Sequence, residues 1–410
     1  MRYLTGLLIG VFNFLALQAQ RNCGTVDYVK AHPFVATQNA FERGGRDTIV
    51  NEIITIPVVI HVLYNNPVQN ISDAQILSQI DVLNKDYRAL NEDIAGTPQV
   101  FKNLIADSRI SFCLAKVAPG GYSTNGIVRK YTTVSSFLPN DDMKFSDRGG
   151  ADAWDSKKYL NIWVCSMQGR ILGYATVPGG PANADGVVIN YDVFGNRGTV
   201  RNPFNKGRTT THEVGHWLGL KHLWGDTDCG DDGIADTPQQ YGYNYGCPNF
   251  PRKSLCSLDA NGDLFMNFMD FSNDACMFMF THGQKIKMRT VFSKTGFRNA
   301  MLQSFTCDSA NASAGPLPQE TPRTTAIEPI QETIRLKLNP VSDFIEFIYK
   351  EKSQLAGKQV QIFTTTGVRL YHTTLLTGTE KISVQYLPSG IYLLVVGNGA
   401  HRNIFKLVKI

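Results

Sequence analysis

The chain has 410 residues, 43% hydrophobic and 18% charged, enough apolar mass for two or three packed domains and too much for a disordered polymer. Its 40 basic and 35 acidic residues leave a net charge of +5 with no Lys/Arg block, which excludes an electrostatic footprint for nucleic acid. No apolar run in the body of the chain approaches the roughly 18 residues of a membrane span.

Residues 1–19 read as a secretory signal peptide. Arg2 heads the run, Leu4 to Leu17 is nearly all apolar, and Ala19 offers a small residue for cleavage. Export places the eight cysteines, at 23, 113, 165, 229, 247, 256, 276 and 307, in a disulfide-permissive compartment. Residues 20–46 are polar, lack periodicity and read as a pro-segment, with Arg43 and Arg46 at its expected end. Residues 47–307 form the main domain.

Within it, the apolar run Ile53–Leu63 predicts a strand. Ser72, with Gln75 three residues on, predicts a capping box opening a helix whose one face is Ile76, Ile80, Leu83 and Tyr87. Ile110–Leu114, Leu160–Cys165 and Gly186–Tyr191 predict further strands, and Leu172–Val177 a short extended run before a Gly/Pro turn. Residues 223–265, rich in Gly, Asp, Pro and Asn, predict an irregular stretch held by ions or disulfides. Gln284–Phe292 predicts a closing helix. Residues 308–332 read as a Ser/Thr/Pro-rich linker. Residues 333–410 alternate in short runs such as Lys381–Tyr386, the pattern of a small β-sandwich. The fold class is α+β.

The chemistry concentrates in Thr211-His212-Glu213-Val214-Gly215-His216-Trp217-Leu218-Gly219-Leu220-Lys221-His222. On a helix His212 and His216 are four apart, so both imidazoles leave one face toward one point. Gly219 tolerates the positive φ of a sharp turn, which brings His222 round as a third ligand. Three neutral imidazoles plus water make the open tetrahedral set of a catalytic zinc site. Glu213, next to the first ligand, reaches that water as a general base. Cys23, ahead of the main domain, has two readings. It is a fourth, blocking zinc ligand, or it pairs with Cys113, Cys165 or Cys307. Asp231 to Pro238 is an acidic, Gly-turned stretch whose hard oxygen ligands suit calcium.

The motif resembles that of the metzincin metallopeptidases, whose zinc lies over a Met-containing turn. Asn267-Phe268-Met269-Asp270-Phe271 fits that turn, with Met269 47 residues after His222. Together with His222-Leu223-Trp224-Gly225-Asp226 and Asp274-Ala275-Cys276, it resembles the pappalysin family over roughly residues 50–300. The resemblance implies a metzincin-like catalytic domain: a twisted sheet with helices, a zinc helix and an irregular C-terminal subdomain carrying the Met-turn. It implies a zinc endopeptidase made as a zymogen, acting on proteins and peptides. It implies disulfides Cys229–Cys256 and Cys247–Cys276, where sequence alone allows three pairings. It places Asp274 in the pocket for the side chain after the cut, where a carboxylate would select Arg, with Lys second. It sets calcium at Asp232, Ala235, Thr237 and the Gly246 carbonyl region. Relatives carry a Tyr where this chain has Phe271, which has no donor. The run Leu172-Gly173-Tyr174 would be the edge strand that pairs with substrate.

Leu338-Asn339-Pro340-Val341, Leu387-Pro388-Ser389-Gly390-Ile391-Tyr392 and the ending Lys406 to Ile410 resemble the sorting domain of the type IX secretion system. That resemblance implies a bacterial source, the secretion machinery as partner, and a secreted or cell-surface location. The competing reading of the whole chain is a non-catalytic adhesin stabilised by metals. It would predict a damaged motif, and Glu213 and all three histidines are intact.

Overall fold

The computed structural model describes residues 20–32, 52–257, 261–308, 335–348, 358–364, 369–375, 381–385, 387–398 and 401–410. The signal segment, Arg43 and Arg46, and nearly all of the linker lie outside the described residues. The chain divides between residues 318 and 319 into two compact units.

Strand β1 (Ile54–Tyr64) is the centre of the first unit, and its near-continuous apolar run follows from burial on both faces. Ile54, Ile56, Val58, Ile60 and Val62 face one core, while Val59, His61 and Leu63 face the other side, as the two-residue period of a strand requires. β1 pairs in parallel with β2 (Ile110–Leu114), β3 (Ile127–Tyr131) and β4 (Leu160–Cys165). β4 pairs in parallel with β6 (Val187–Asn190), and β5 (Gly173–Ala175) closes the sheet as an antiparallel edge. The expected edge run was longer, from 172 to 177; only three of its residues pair.

Helix α1 (Thr25–Ala31) and strand β3 have no counterpart in the sequence reading. α1 is seven residues long, too short for a periodic signal or for stability on its own, so it depends on what it packs against. β3 carries Arg129 and Lys130 on a half-exposed edge, which masks its strand pattern.

Helix α2 (Asp73–Tyr87) buries Ile76, Ile80, Leu83 and Tyr87 against the sheet. Ser72 Oγ accepts the Gln75 N–H at 3.2 Å. The Gln75 side chain does not complete the capping box. It donates instead to the carbonyls of Tyr191 and Phe194 and to Thr199, and so ties the loop after β6 to the helix. Helix α3 (Arg208–Trp217) lies on the same side of the sheet and is buried throughout. Helix α4 (His282–Thr290) starts two residues before the expected position, because Thr281 and Gln284 form a reciprocal capping box there.

Residues 223–265 contain no helix or strand among those described. Disulfides Cys229–Cys256 and Cys247–Cys276 hold this region, as the resemblance implied. Cys113–Cys307 joins β2 to the end of the unit, and Cys23 and Cys165 remain as thiols. Cys23 forms no disulfide among the described residues.

The second unit is a four-stranded antiparallel sheet, in the order Arg369–Thr374, Gln359–Thr364, Gly390–Asn398, His401–Lys409. Two small two-stranded sheets accompany it. Val360, Ile362, Leu394, Val396 and Leu407 form its core.

Candidate active site

α3 carries His212 and His216 one turn apart and ends where Gly219 takes φ +92°. That turn returns the chain so that His222 faces the same point. The three Nε2 atoms form a triangle with edges of 3.1, 3.1 and 3.2 Å. A tetrahedral ion with bonds of about 2.0 Å needs edges of about 3.3 Å. Each Nδ1–H is directed away from the triangle by its own acceptor. His212 donates to the Phe268 carbonyl (2.7 Å), His216 to the Leu220 carbonyl (2.9 Å) and His222 to the Asp226 carboxylate. These bonds select the tautomer whose Nε2 lone pairs converge, and three converging lone pairs are repulsive until a cation sits between them. Burial drives the His212 imidazole well down and His216 down to about 3, with the neighbouring histidines adding to it. Both effects favour the neutral form of His212 and His216, the form that can ligate a metal. This donor set fits zinc.

The Cys23 sulfur belongs to the same cluster: it and the three nitrogens all lie within 4.8 Å of one another. Burial first, then the nearby Glu213 carboxylate, pushes the Cys23 thiol up, so a cation in the triangle is what would favour its thiolate. Residues 22–24 run along β5. The Leu172 N–H donates to the Asn22 carbonyl, and the Gly24 N–H donates to the Gly173 carbonyl, both at 2.9 Å. The pairing is parallel.

Glu213 sits beside the triangle. Its carboxylate accepts from Thr25 Oγ1 (3.0 Å) and Cys23 Sγ (3.4 Å), and burial lifts it to about 7. Thr25 Oγ1 also accepts the Ala175 N–H at 2.9 Å, so one hydroxyl bridges the carboxylate and the edge strand. A Cβ at Gly173 would lie 3.0 Å from Glu213 Cγ and 2.8 Å from the Val188 carbonyl; only glycine lets β5 come this close. The Tyr174 side chain points to the opposite face and meets Asp141, so of the three edge residues it presents backbone alone to the cleft side.

Met269 is fully buried under α3, and a Cβ at Gly215 would meet its sulfur at 2.5 Å. Gly215 is thus part of the zinc motif for a packing reason. Phe271 packs with Trp224 and Cys23, its ring centroid 4.9 Å from His222.

Asp274 is fully buried and already has a cationic partner. Arg21 Nη2 donates to its Oδ1 at 2.5 Å, Nη1 donates to Thr209 Oγ1 at 3.0 Å, and the guanidinium lies 5.1 Å over the Phe204 ring. The Lys206 and Arg208 N–H groups donate to Oδ2 (2.8 and 3.3 Å) and fix the direction of the carboxylate. The reading from sequence named Asp274 but missed Arg21, Thr209 and Phe204, which no spacing rule connects to it. It also missed Asp226, although a carboxylate four residues after a ligand histidine is a legible orienting signal.

Among the expected calcium residues, Asp232 and Thr237 come together: Thr237 Oγ1 donates to the Asp232 carboxylate at 2.9 Å. Burial lifts Asp232 to about 6. The Gly246 carbonyl accepts the Asn273 N–H at 2.8 Å, and Asp236 is engaged elsewhere, capping α4 through the Gly283 N–H.

Residues 145–293 match the peptidase family model described as pregnancy-associated plasma protein-A, and residues 339–410 match the secretion system C-terminal sorting domain. An extracellular metalloprotease of Arthroderma gypseum is 30% identical over 290 residues, covering 68% of this chain and 85% of that protein. Mature mirolysin of Tannerella forsythia, solved with a cleaved peptide, is 51% identical and superimposes with a TM-score of 0.60, covering 61% of this chain and 96% of its own. A promirolysin mutant from the same organism is 46% identical with a TM-score of 0.65, covering 69% of this chain and 97% of its own.

Proposed function

The chain belongs to the pappalysin family of secreted zinc metalloendopeptidases, and from that premise we propose which residues cut, what they select and how the enzyme is held inactive. His212, His216 and His222 hold the zinc, and Glu213 is the general base. Zinc bound there supplies a Lewis acid that acidifies water and polarises the scissile carbonyl. Glu213 takes the proton of the attacking water and returns it to the leaving amine. Phe271 offers no hydroxyl to this step. The Leu172-Gly173-Tyr174 backbone, with Ala175, on the edge of the sheet pairs with the extended substrate.

The enzyme cuts on the N-terminal side of Arg, with Lys second. The observation that carries this reading is Arg21: a buried arginine of the chain itself is held by Asp274, Thr209 and the Phe204 ring, the contacts a substrate arginine would take. The same segment supports a zymogen. Residues 20–46 form a leader that fills the arginine pocket with Arg21 and offers the Cys23 sulfur at the fourth zinc position. Its parallel course along β5 supports a non-productive fit. Residues 1–19 are the signal peptide, 47–307 the catalytic domain, 308–332 the linker and 333–410 the type IX sorting domain. Asp232 and Thr237, with the Ala235 and Gly246 carbonyls, form a structural calcium site.

The test is a peptide library cleaved by the leader-free enzyme, with and without a zinc chelator, mapped by mass spectrometry, with Glu213→Ala as control. The expected cuts are chelator-sensitive, absent in the variant and N-terminal to Arg. Cuts without Arg preference would overturn the role of Asp274; no cutting by folded, zinc-loaded enzyme would overturn the peptidase assignment.

A further inference from the structure

Tyr28, on α1, is buried away from both the histidine triangle and the Asp274 pocket. Its ring packs on Tyr174 with centroids 5.1 Å apart, and the Lys144 ammonium lies 5.0 Å over its face. Its hydroxyl donates to Asp141 Oδ2 at 2.7 Å. Lys144 is fully buried. It pairs with Asp141 Oδ1 at 2.8 Å, donates to Thr176 Oγ1 and the Ala184 carbonyl, and also lies over the Trp163 ring at 5.4 Å. The Tyr174 hydroxyl donates to Asp141 Oδ1 at 2.8 Å. Asp141 is a non-glycine residue at φ +68°, a conformation that persists only where the surroundings over-determine it.

Every member of this assembly except Tyr28 belongs to the catalytic domain. Without Tyr28, the Asp141 Oδ2 loses the donor it has among the described residues, and the Lys144 ammonium loses one aromatic face. What remains is an aromatic-walled slot with a cation over its flank and a carboxylate oxygen at its end. A phenol satisfies all three elements at once; an aliphatic side chain satisfies none of the polar ones.

We propose that Asp141, Lys144, Trp163 and Tyr174 form a tyrosine-binding exosite, which anchors the leader through Tyr28 and, once the leader has gone, takes a tyrosine side chain of a protein substrate lying across β5. The proposal rests on residues 20–46 being a removable leader. The exosite lies on the far face of β5 from Glu213, so it adds affinity for a chain without touching the chemistry.

The test uses the full chain after leader removal, a short fluorogenic substrate without tyrosine, and the synthetic peptide Gln20–His32 as inhibitor. Tyr28→Phe in the peptide should weaken inhibition about tenfold, the loss expected for a hydrogen bond to a carboxylate, and Tyr28→Ala about a hundredfold. The same ratios should hold in a Cys23→Ser peptide, because the exosite does not involve the metal. Millimolar N-acetyltyrosine amide should weaken inhibition by the wild-type peptide several-fold and leave the Tyr28→Ala peptide unaffected, while N-acetylphenylalanine amide does neither. Equal inhibition by the Tyr28, Phe and Ala peptides, or a tyrosine amide with no effect, overturns the exosite and leaves the leader reading standing. If none of the peptides inhibits, the leader reading fails and the exosite with it.

Discussion

Arg21 and Asp274 form a buried ion pair, 2.5 Å from Nη2 to Oδ1, across 253 positions of sequence. A charge pair this dry needs further hydrogen bonds on each partner: every nitrogen of the Arg21 guanidinium donates one, and the second Asp274 oxygen accepts from backbone N–H groups. On the proposed reading, Arg21 of the leader stands on Asp274 where a substrate arginine would stand. Asp274→Asn keeps the shape and removes the charge. In the leader-free enzyme it should lower kcat/KM for Arg-containing peptides on the order of 100-fold, with much less effect on peptides that carry a neutral residue there. Paired fluorogenic substrates differing at that one residue measure it, and equal losses on both would refute the pocket.

Cys23→Ser removes the sulfur from the proposed fourth zinc position and leaves Arg21 in place. On an Arg43→Ala/Arg46→Ala background, which removes the arginines where an Arg-directed enzyme would cut off its own leader, the intact chain should gain roughly tenfold or more in peptidase activity. Intact mass measured alongside activity distinguishes an opened site from a lost leader. Unchanged latency would show that Cys23 is not the blocking group.

Cys113–Cys307 closes a loop with a sequence separation of 194, so it removes much of the freedom of the unfolded chain. The Cys113→Ser/Cys307→Ser variant should lose about 3–5 kcal/mol of stability while keeping its cleavage specificity. Denaturant unfolding of the leader-free enzyme, followed by tryptophan fluorescence, reads the first; peptide mapping reads the second.

His61 lies buried on β1, stacked on Trp163 with centroids 5.2 Å apart. Its Nε2–H donates to Asn161 Oδ1 at 3.0 Å, and its Nδ1 has no partner among the described residues. Burial lowers its pKa from the ordinary 6.5 to about 4, against the hydrogen bond to Asn161. As pH falls below about 6.5 the unfolded chain takes a proton that the folded chain refuses until about 4, so stability drops across that window by up to about 3 kcal/mol. His61→Phe, which keeps the stack, should flatten the loss between pH 7 and pH 4.5. An unchanged slope would place the acid sensitivity elsewhere.

At the proposed calcium site, an ion bound to Asp232 would have to displace a proton that burial holds up to about 6. Apparent calcium affinity should therefore fall about tenfold for each pH unit below 6 and level off above it. Calorimetric titrations at pH 5 and pH 7.5 test this, with Asp232→Asn expected to abolish the pH dependence together with the site.

The candidate zinc histidines, Glu213 and five of the six strands of the first unit were legible along the chain because each rests on a local spacing or pattern, and the Met269 turn was legible through the family resemblance. A helical period of about 3.6 residues aligns His212 with His216, and a continuous apolar run marks β1. Gly219 announced the turn to His222 for the same reason: its freedom is a property of the residue itself. Arg21 with Asp274, Cys113 with Cys307, and Tyr28 with Asp141 were decided only in three dimensions. Each joins residues more than a hundred positions apart, and each pairing follows from which groups are buried together. A buried carboxylate, thiol or ammonium must find a partner wherever the packing brings one. Helix α1 belongs with these: seven residues fold there because Thr25 and Tyr28 dock on β5, and nothing in their own pattern demands it.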